Sequence, residues 1–241
     1  MSRPGAVVFD FGGVLITTIA NQIGAVAASH DIDRAVMHEI LLGPRESGAR
    51  HPWHRAERGE IALVEIQGLL DPWARAHDVE LHGDEMDRLL SPGGYDVVDV
   101  MLERVGALRT EGLLTGLLTN TFAEFRPTMQ RDVDFDLFDV VVESFAVGAR
   151  KPEPAIYAIT AERLGVDHGA IAYLDDFEHN LTPARDLGWA TVLVDDPLDA
   201  LAELDAILHR STDAAPDTST GGGRDARSSS PDAGDGTRPR P

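Results

Sequence analysis

Residues 171–196 read IAYLDDFEHNLTPARDLGWATVLVDD, and this stretch contains the unit from which the fold is assembled. Four apolar residues end in two acids, Asp175 and Asp176. A helical stretch follows at 180–187. A second apolar run at 191–194 then ends in two more acids, Asp195 and Asp196. The apolar runs are continuous rather than alternating. A strand that is apolar at every position is buried on both faces, as in a parallel sheet covered by helices.

Working outward, the same unit recurs. AVVF at 6–9 ends at Asp10. LLTGLL at 113–118 ends at Thr119 and Asn120, and VVV at 140–142 lies in DVVVES. Helical patterns fill the intervals at 95–110, 122–130 and 153–164, and 198–209 closes the series. A βαβ succession of this kind predicts a Rossmann-like, doubly wound α/β sheet of five parallel strands.

One interval breaks the rhythm. About a hundred residues separate Asp10 from the next strand, several times what a crossover needs. Within it, 22–29, 33–42, 60–77 and 84–90 read as helical. The stretch 60–77 places Ile61, Val64, Ile66, Leu69, Leu70 and Trp73 on one broad apolar face. The chain therefore divides into a core of 1–15 and 91–210 and a helical insertion of 16–90. An insertion at the carboxyl edge of a strand sits where open α/β sheets bind ligands, and can act as a lid. Residues 211–241 contain no Val, Ile, Leu, Met or aromatic side chain. They cannot bury enough apolar surface to offset ordering entropy, and are expected as a disordered tail.

Composition narrows the function classes. The 241 residues carry 21 basic and 41 acidic side chains, a formal net charge of −20. Such a surface repels nucleic acid and anionic membranes. No apolar run reaches the ~18 residues of a membrane span. The start, MSRPG, lacks the pattern of a secretory signal, so a cytoplasmic location is the expectation. The absence of cysteine removes disulfides, thiolate metal sites and cysteine nucleophiles. Among the basic residues, Lys151 stands alone against twenty arginines. Arg presents a planar fork and Lys a compact charge, so the retained Lys marks a site that needs the latter.

Four strand ends or adjoining loops carry polar chemistry. Asp10 in FDFGGVL is turned toward a crevice by Gly12 and Gly13, although Asp followed by Gly-Gly also marks an ordinary turn. Thr119 and Asn120 offer a hydroxyl and an amide to a phosphate oxygen, or equally cap the next helix. Lys151 in ARKPEP precedes a helix opened by proline. Asp175 and Asp176 repel each other, so a cation is needed to hold them together. Oxygen-only ligands beside a phosphate suit Mg²⁺.

Taken together, FDFGGVL, LLTN, KPEPAIY and LDDFEHNLTPARDLGW resemble the haloacid dehalogenase-like (HAD) hydrolase superfamily. The last two segments are most similar to its phosphatase-type domain found at the N-terminus of soluble epoxide hydrolase. The resemblance implies a five-stranded core in the order 5-4-1-2-3 with a helical cap of the C1 type after strand one. It also implies a phosphatase acting on a small organic phosphate through an aspartyl-phosphate intermediate. Asp10 would be the nucleophile, and Thr119 with the amide of Asn120 would bind the phosphoryl group. Lys151 would neutralise charge on Asp10 and the phosphoryl oxygens. Asp10, the carbonyl of Gly12 and Asp176 would hold Mg²⁺. Asp175 belongs to the same metal set, as the orienter of Lys151 or of a metal-bound water. Asn180 would fix the loop or cap its helix.

The sequence departs from the family at Gly12. A second Asp usually stands there and protonates the leaving oxygen, a role worth ~10²–10⁴-fold. Three readings follow: an acyl phosphate or sugar phosphate whose leaving group needs little help, a substitute group, or a chain that binds without turnover. Candidates for the substitute are His51, His54, Glu57 and Glu60 in HPWHRAERGE, with Arg55 and Arg58 as readers of an anion and His179 in the acidic loop. The plain reading of that stretch is an exposed charged turn ahead of a helix. Two further alternatives stay open: a non-catalytic metal- and phosphate-binding module, and a 2-haloacid dehalogenase using Asp10 without metal. Monomer and homodimer are both compatible with the sequence.

Overall fold

The computed structural model describes residues 3–17, 20–44, 50–83, 85 and 95–209. Five strands form one parallel sheet in the order β3-β2-β1-β4-β5. They are β1 (Ala6–Phe9), β2 (Leu114–Thr119), β3 (Val140–Glu143), β4 (Ile171–Asp175) and β5 (Ala190–Leu193). This is the expected order 5-4-1-2-3 read from the opposite edge. Each strand lies within one residue of its apolar run.

The continuous hydrophobicity has a direct cause. Side chains alternate across a strand, so successive residues feed two different cores. In β1, Val7 and Phe9 join one cluster with Ala172 and Leu174 of β4, covered by the helices Asp99–Thr110 and Pro197–His209. Ala6 and Val8 join the other with Ile171 and Tyr173, covered by Pro154–Leu164 and Glu178–Asp186. All four residues of β1 are wholly buried. Full burial is worth ~1.5–3 kcal/mol for each large apolar side chain, so β1 anchors the sheet.

Between β1 and Asp99–Thr110 the chain builds the helices Ala20–Ser29, Arg34–Leu42, Pro52–Glu57 and Ile66–Arg75. They pack around their own apolar cluster, which includes Met37, Ile40, Trp53, Ile66 and Leu70. The expected helix at 60–77 is shorter than its apolar pattern: a 3-10 turn at Leu63–Glu65 precedes Ile66–Arg75. The Leu63 amide leaves the helical ladder to donate to Glu124 of the core, 3.1 Å away. The expected helix 122–130 also shifts, to Arg126–Asp132, because Phe122 packs instead against Trp53 of the insertion. The expected helix 84–90, apart from Glu85, and the expected tail at 211–241 lie outside the described residues.

Entry to and exit from the inserted helices are joined. Ile16 bridges Val97 in antiparallel fashion. Thr17 N–H donates to the Asp96 carbonyl at 2.9 Å, and Val98 N–H to the Leu15 carbonyl at 2.9 Å. Among the described residues no helix is long and apolar enough to cross a membrane.

Candidate active site

The parallel sheet puts the carboxyl ends of β1, β2 and β4 side by side, and this alone gathers residues more than 160 positions apart. Asp10 follows β1, Thr119 ends β2 and Asp175 ends β4. Lys151 enters from the loop before Pro154–Leu164 and is 1% exposed. Its Nζ lies 2.7 Å from Asp10 Oδ1 and 2.7 Å from Asp175 Oδ2. Burial alone would lower the lysine pKa, but the facing carboxylates carry it above its ordinary value, so it stays charged.

The two acids of β4 do different work. Asp175 is fully buried and both its oxygens are taken. Oδ1 accepts from Phe177 N–H at 2.8 Å and Asn180 Nδ2 at 2.9 Å. Oδ2 accepts from Lys151 and from the Tyr173 hydroxyl. Four donor groups, with Asn180 Nδ2 reaching both oxygens, make it the anchor of Lys151 and of its own loop. Asn180 is accordingly a loop fixer. Asp176 is the opposite case. Its Oδ1 is buried without a hydrogen-bond partner among the described residues. Burial, followed by the Asp175 charge, pushes its carboxyl up to about 7.

That orphaned oxygen fits a cation. Asp10, Asp175 and Asp176 can each present an oxygen within 4.8 Å of the others. An all-oxygen set with uncompensated negative charge suits a hard divalent ion such as Mg²⁺, and Asp10, Asp176 and the Gly12 carbonyl are the groups that would hold it. Asp10 Oδ1 accepts from Phe11 N–H and from Lys151, each at 2.7 Å. Its carboxyl is raised well above the usual value, by burial first, with Lys151 opposing and Asp175 and Asp176 reinforcing the shift.

Gly13 makes this proximity attainable. Its φ is +75°, and a Cβ there would lie 2.2 Å from Asp176 Oδ2. Gly13→Ala is therefore expected to displace Asp176 and cost roughly 1–3 kcal/mol, measured by thermal unfolding. An unchanged melting temperature would show that the loop adapts freely.

Thr119 is buried at the end of β2 and lines the same cavity as Asp10. The Asn120 carboxamide is not a free donor. It accepts from Lys151 N–H at 2.8 Å and donates to the Lys151 carbonyl at 3.0 Å, strapping the two loops together.

The stretch HPWHRAERGE is not an exposed turn. It forms the helix Pro52–Glu57 behind His51, and His51, His54 and Glu57 are buried. His51 caps the helix by accepting from Trp53 N–H, and it hydrogen-bonds the Ile40 carbonyl at 3.1 Å. Burial pushes His51 down to about 4 and His54 to about 3, so both are neutral. Arg55 and Arg58 pair with Glu60, and Arg58 also bridges to Glu153 of the core at 2.9 Å. Both guanidinium groups are thus paired with carboxylates. His54 and Glu57 line the cavity with Asp10, Lys151, Asp176 and His179; its volume is about 910 Å³.

Sequence reasoning missed two participants. Arg150 ion-pairs with Glu57 across the junction between core and insertion. The Tyr173 hydroxyl binds Asp175 inside the sheet. A tyrosine in a strand that is otherwise apolar signals a buried hydroxyl in need of a partner.

Comparison with known proteins places the fold in a family. Mouse bifunctional epoxide hydrolase 2 is 35% identical over 223 residues, covering 86% of this chain and 39% of that protein. The chain spans 19–39% of the length of the mammalian relatives it matches. Phosphatase MT3486 of Mycobacterium tuberculosis is 31% identical, covering 79% of this chain and 87% of that one. A HAD family enzyme of Bacteroides thetaiotaomicron, solved with magnesium and inorganic phosphate, shares the fold at a TM-score of 0.57 and 19% identity, covering 79% and 93% of the two chains. Residues 4–188 match the family model of the haloacid dehalogenase-like hydrolases. With the sheet order, the acids at the ends of β1 and β4 and the buried lysine between them, the chain belongs to the haloacid dehalogenase-like hydrolase family.

Proposed function

We propose that the chain is a Mg²⁺-dependent phosphatase acting on a small organic phosphate, a sugar phosphate or an acyl phosphate. The observation that carries this reading is the charge balance around Asp10. One ammonium faces Asp10 and Asp175, while Asp176 keeps a buried oxygen unpaired among the described residues. A metal-free dehalogenase has no need of that second acid.

Mg²⁺ would supply the remaining positive charge, screening the phosphoryl oxygens from Asp10 as they approach. Phe11 N–H and Lys151 hold Oδ1, so Oδ2 is the attacking oxygen. It bonds to phosphorus, the bond from phosphorus to the leaving oxygen breaks, and aspartyl phosphate forms at Asp10. The leaving oxygen takes its proton from water, since residue 12 has no side chain. A second water then cleaves the phosphorus–oxygen bond to Asp10 and releases phosphate. Thr119 orients the phosphoryl group, and Asn120 acts by holding Lys151 in place.

Release of phosphate from phosphomonoesters and acyl phosphates, with and without Mg²⁺, tests the proposal. Turnover is expected only with Mg²⁺ and should vanish on chelation with EDTA. Halide release from 2-haloacids without metal would instead establish the dehalogenase reading. Mg²⁺ binding with no turnover on any substrate would establish a binding module.

Residue 12 offers a sharper measurement. A Cβ at Gly12 meets nothing within 4 Å, so a carboxylate fits there. Gly12→Asp is expected to raise kcat on esters with poor leaving groups, within the ~10²–10⁴-fold range of general acids. Aryl phosphates, whose leaving groups need no proton, should respond much less. An equal response of both classes would mean that protonation is not what the wild type lacks.

A further inference from the structure

Arg150 and His54 carry polar atoms that the machinery around Asp10 does not use. Arg150 is 6% exposed and His54 1%, and both line the cavity. Arg150 Nε donates to Glu57 Oε2, while Glu57 Oε1 accepts from the Trp53 indole at 3.0 Å. This leaves Arg150 Nη1 buried without a hydrogen-bond partner among the described residues, and His54 Nδ1 likewise. An unpaired buried group costs ~1–3 kcal/mol, which a ligand pairing with it would recover.

The two atoms differ in kind. A guanidinium nitrogen can only donate. His54 hydrogen-bonds the Leu42 carbonyl, which places the ring proton on that side and a lone pair on Nδ1. Burial and the Arg150 charge keep the ring from taking a second proton. A carboxylate or a second phosphate would satisfy Nη1 but oppose the Nδ1 lone pair. An alkyl group would satisfy neither. A hydroxyl accepts from Nη1 and donates to Nδ1.

We propose that Arg150 and His54 form a subsite for a hydroxyl on the leaving-group side of the substrate, which makes that substrate a polyol phosphate. The proposal rests on the phosphatase reading above and selects among its substrate classes. Trp53 and Phe122, which meet edge to face at 4.9 Å on the cavity wall, give the carbon skeleton an apolar surface.

The probes are glycerol 3-phosphate, propyl phosphate and phosphoglycolate. Values of kcat/KM are measured for the wild type with Mg²⁺, and dissociation constants by calorimetry on Asp10→Asn with Mg²⁺. The glycerol ester is expected to be favoured over the propyl ester by about tenfold or more in both measurements. Adding His54→Phe should collapse that ratio, and His54→Asn should restore it, because its Oδ1 replaces the Nδ1 lone pair. A wild-type ratio near one, a ratio that survives His54→Phe, or tighter binding of phosphoglycolate than of glycerol 3-phosphate would overturn the proposal. Should the wild type turn over none of the esters, the phosphatase reading fails, and the calorimetric ratio still decides the subsite.

Discussion

Lys151→Met is expected to destabilise the protein by ~3–5 kcal/mol, the cost of leaving buried charges unpaired, and to abolish activity. Among the described residues, Lys151 Nζ is the only cation 2.7 Å from both Asp10 and Asp175. Asp175 has no solvent to turn to and Asp10 very little. The lysine pKa lies above its ordinary 10.5, so its contribution is fully present at neutral pH and is lost only as pH rises through the folded value. Lys151→Arg should not restore the fold, because a planar fork cannot occupy a slot that is 1% exposed and shaped for a compact ammonium. Urea denaturation of the three proteins is the check. A Lys151→Met protein within 1 kcal/mol of the wild type would mean that the carboxylates are not held charged.

Asp10→Asn should remove turnover by about 10⁴-fold or more, as expected when a covalent nucleophile is lost. Unlike the lysine change, it should leave the fold intact. Asn keeps an oxygen to accept from Phe11 N–H and Lys151, so both 2.7 Å contacts persist. It also removes one negative charge from a group of three carboxylates served by one ammonium. Without divalent cation the variant should therefore melt at or above the wild-type temperature. Single-turnover phosphate release and a thermal scan test both halves. Residual turnover near the wild-type rate would remove Asp10 from the role of nucleophile.

The strands were legible because burial on both faces leaves no polar position to interrupt the apolar run, as in AVVF and IAYL. Lys151 was legible by counting, since a chain that replaces lysine everywhere else keeps it where an ammonium faces two carboxylates. The helix Pro52–Glu57 was not legible. His51, His54 and Glu57 look like surface residues, and what buries them lies elsewhere in the chain. The Ile40 carbonyl meets His51, the Leu42 carbonyl meets His54, and Arg150 meets Glu57. Likewise, two adjacent acids in a sequence do not show how many partners each has: the fold brings four donor groups to Asp175 and leaves Asp176 Oδ1 without one among the described residues. Patterning encodes burial by periodicity, but polar pairing across distant segments has no period.

The bridge between Ile16 and Val97 has an evolutionary corollary. Because the chain leaves and re-enters the sheet domain at hydrogen-bonded neighbours, everything between is topologically a loop of negligible span. Loop-closure entropy grows only with the logarithm of length, by ~0.6 kcal/mol per doubling. The sheet is therefore nearly indifferent to how much chain is threaded through that gate. Selection can lengthen, prune or exchange the inserted helices while Asp10, Thr119, Lys151 and Asp176 stay in register, so reaction chemistry and ligand choice are inherited as separable modules.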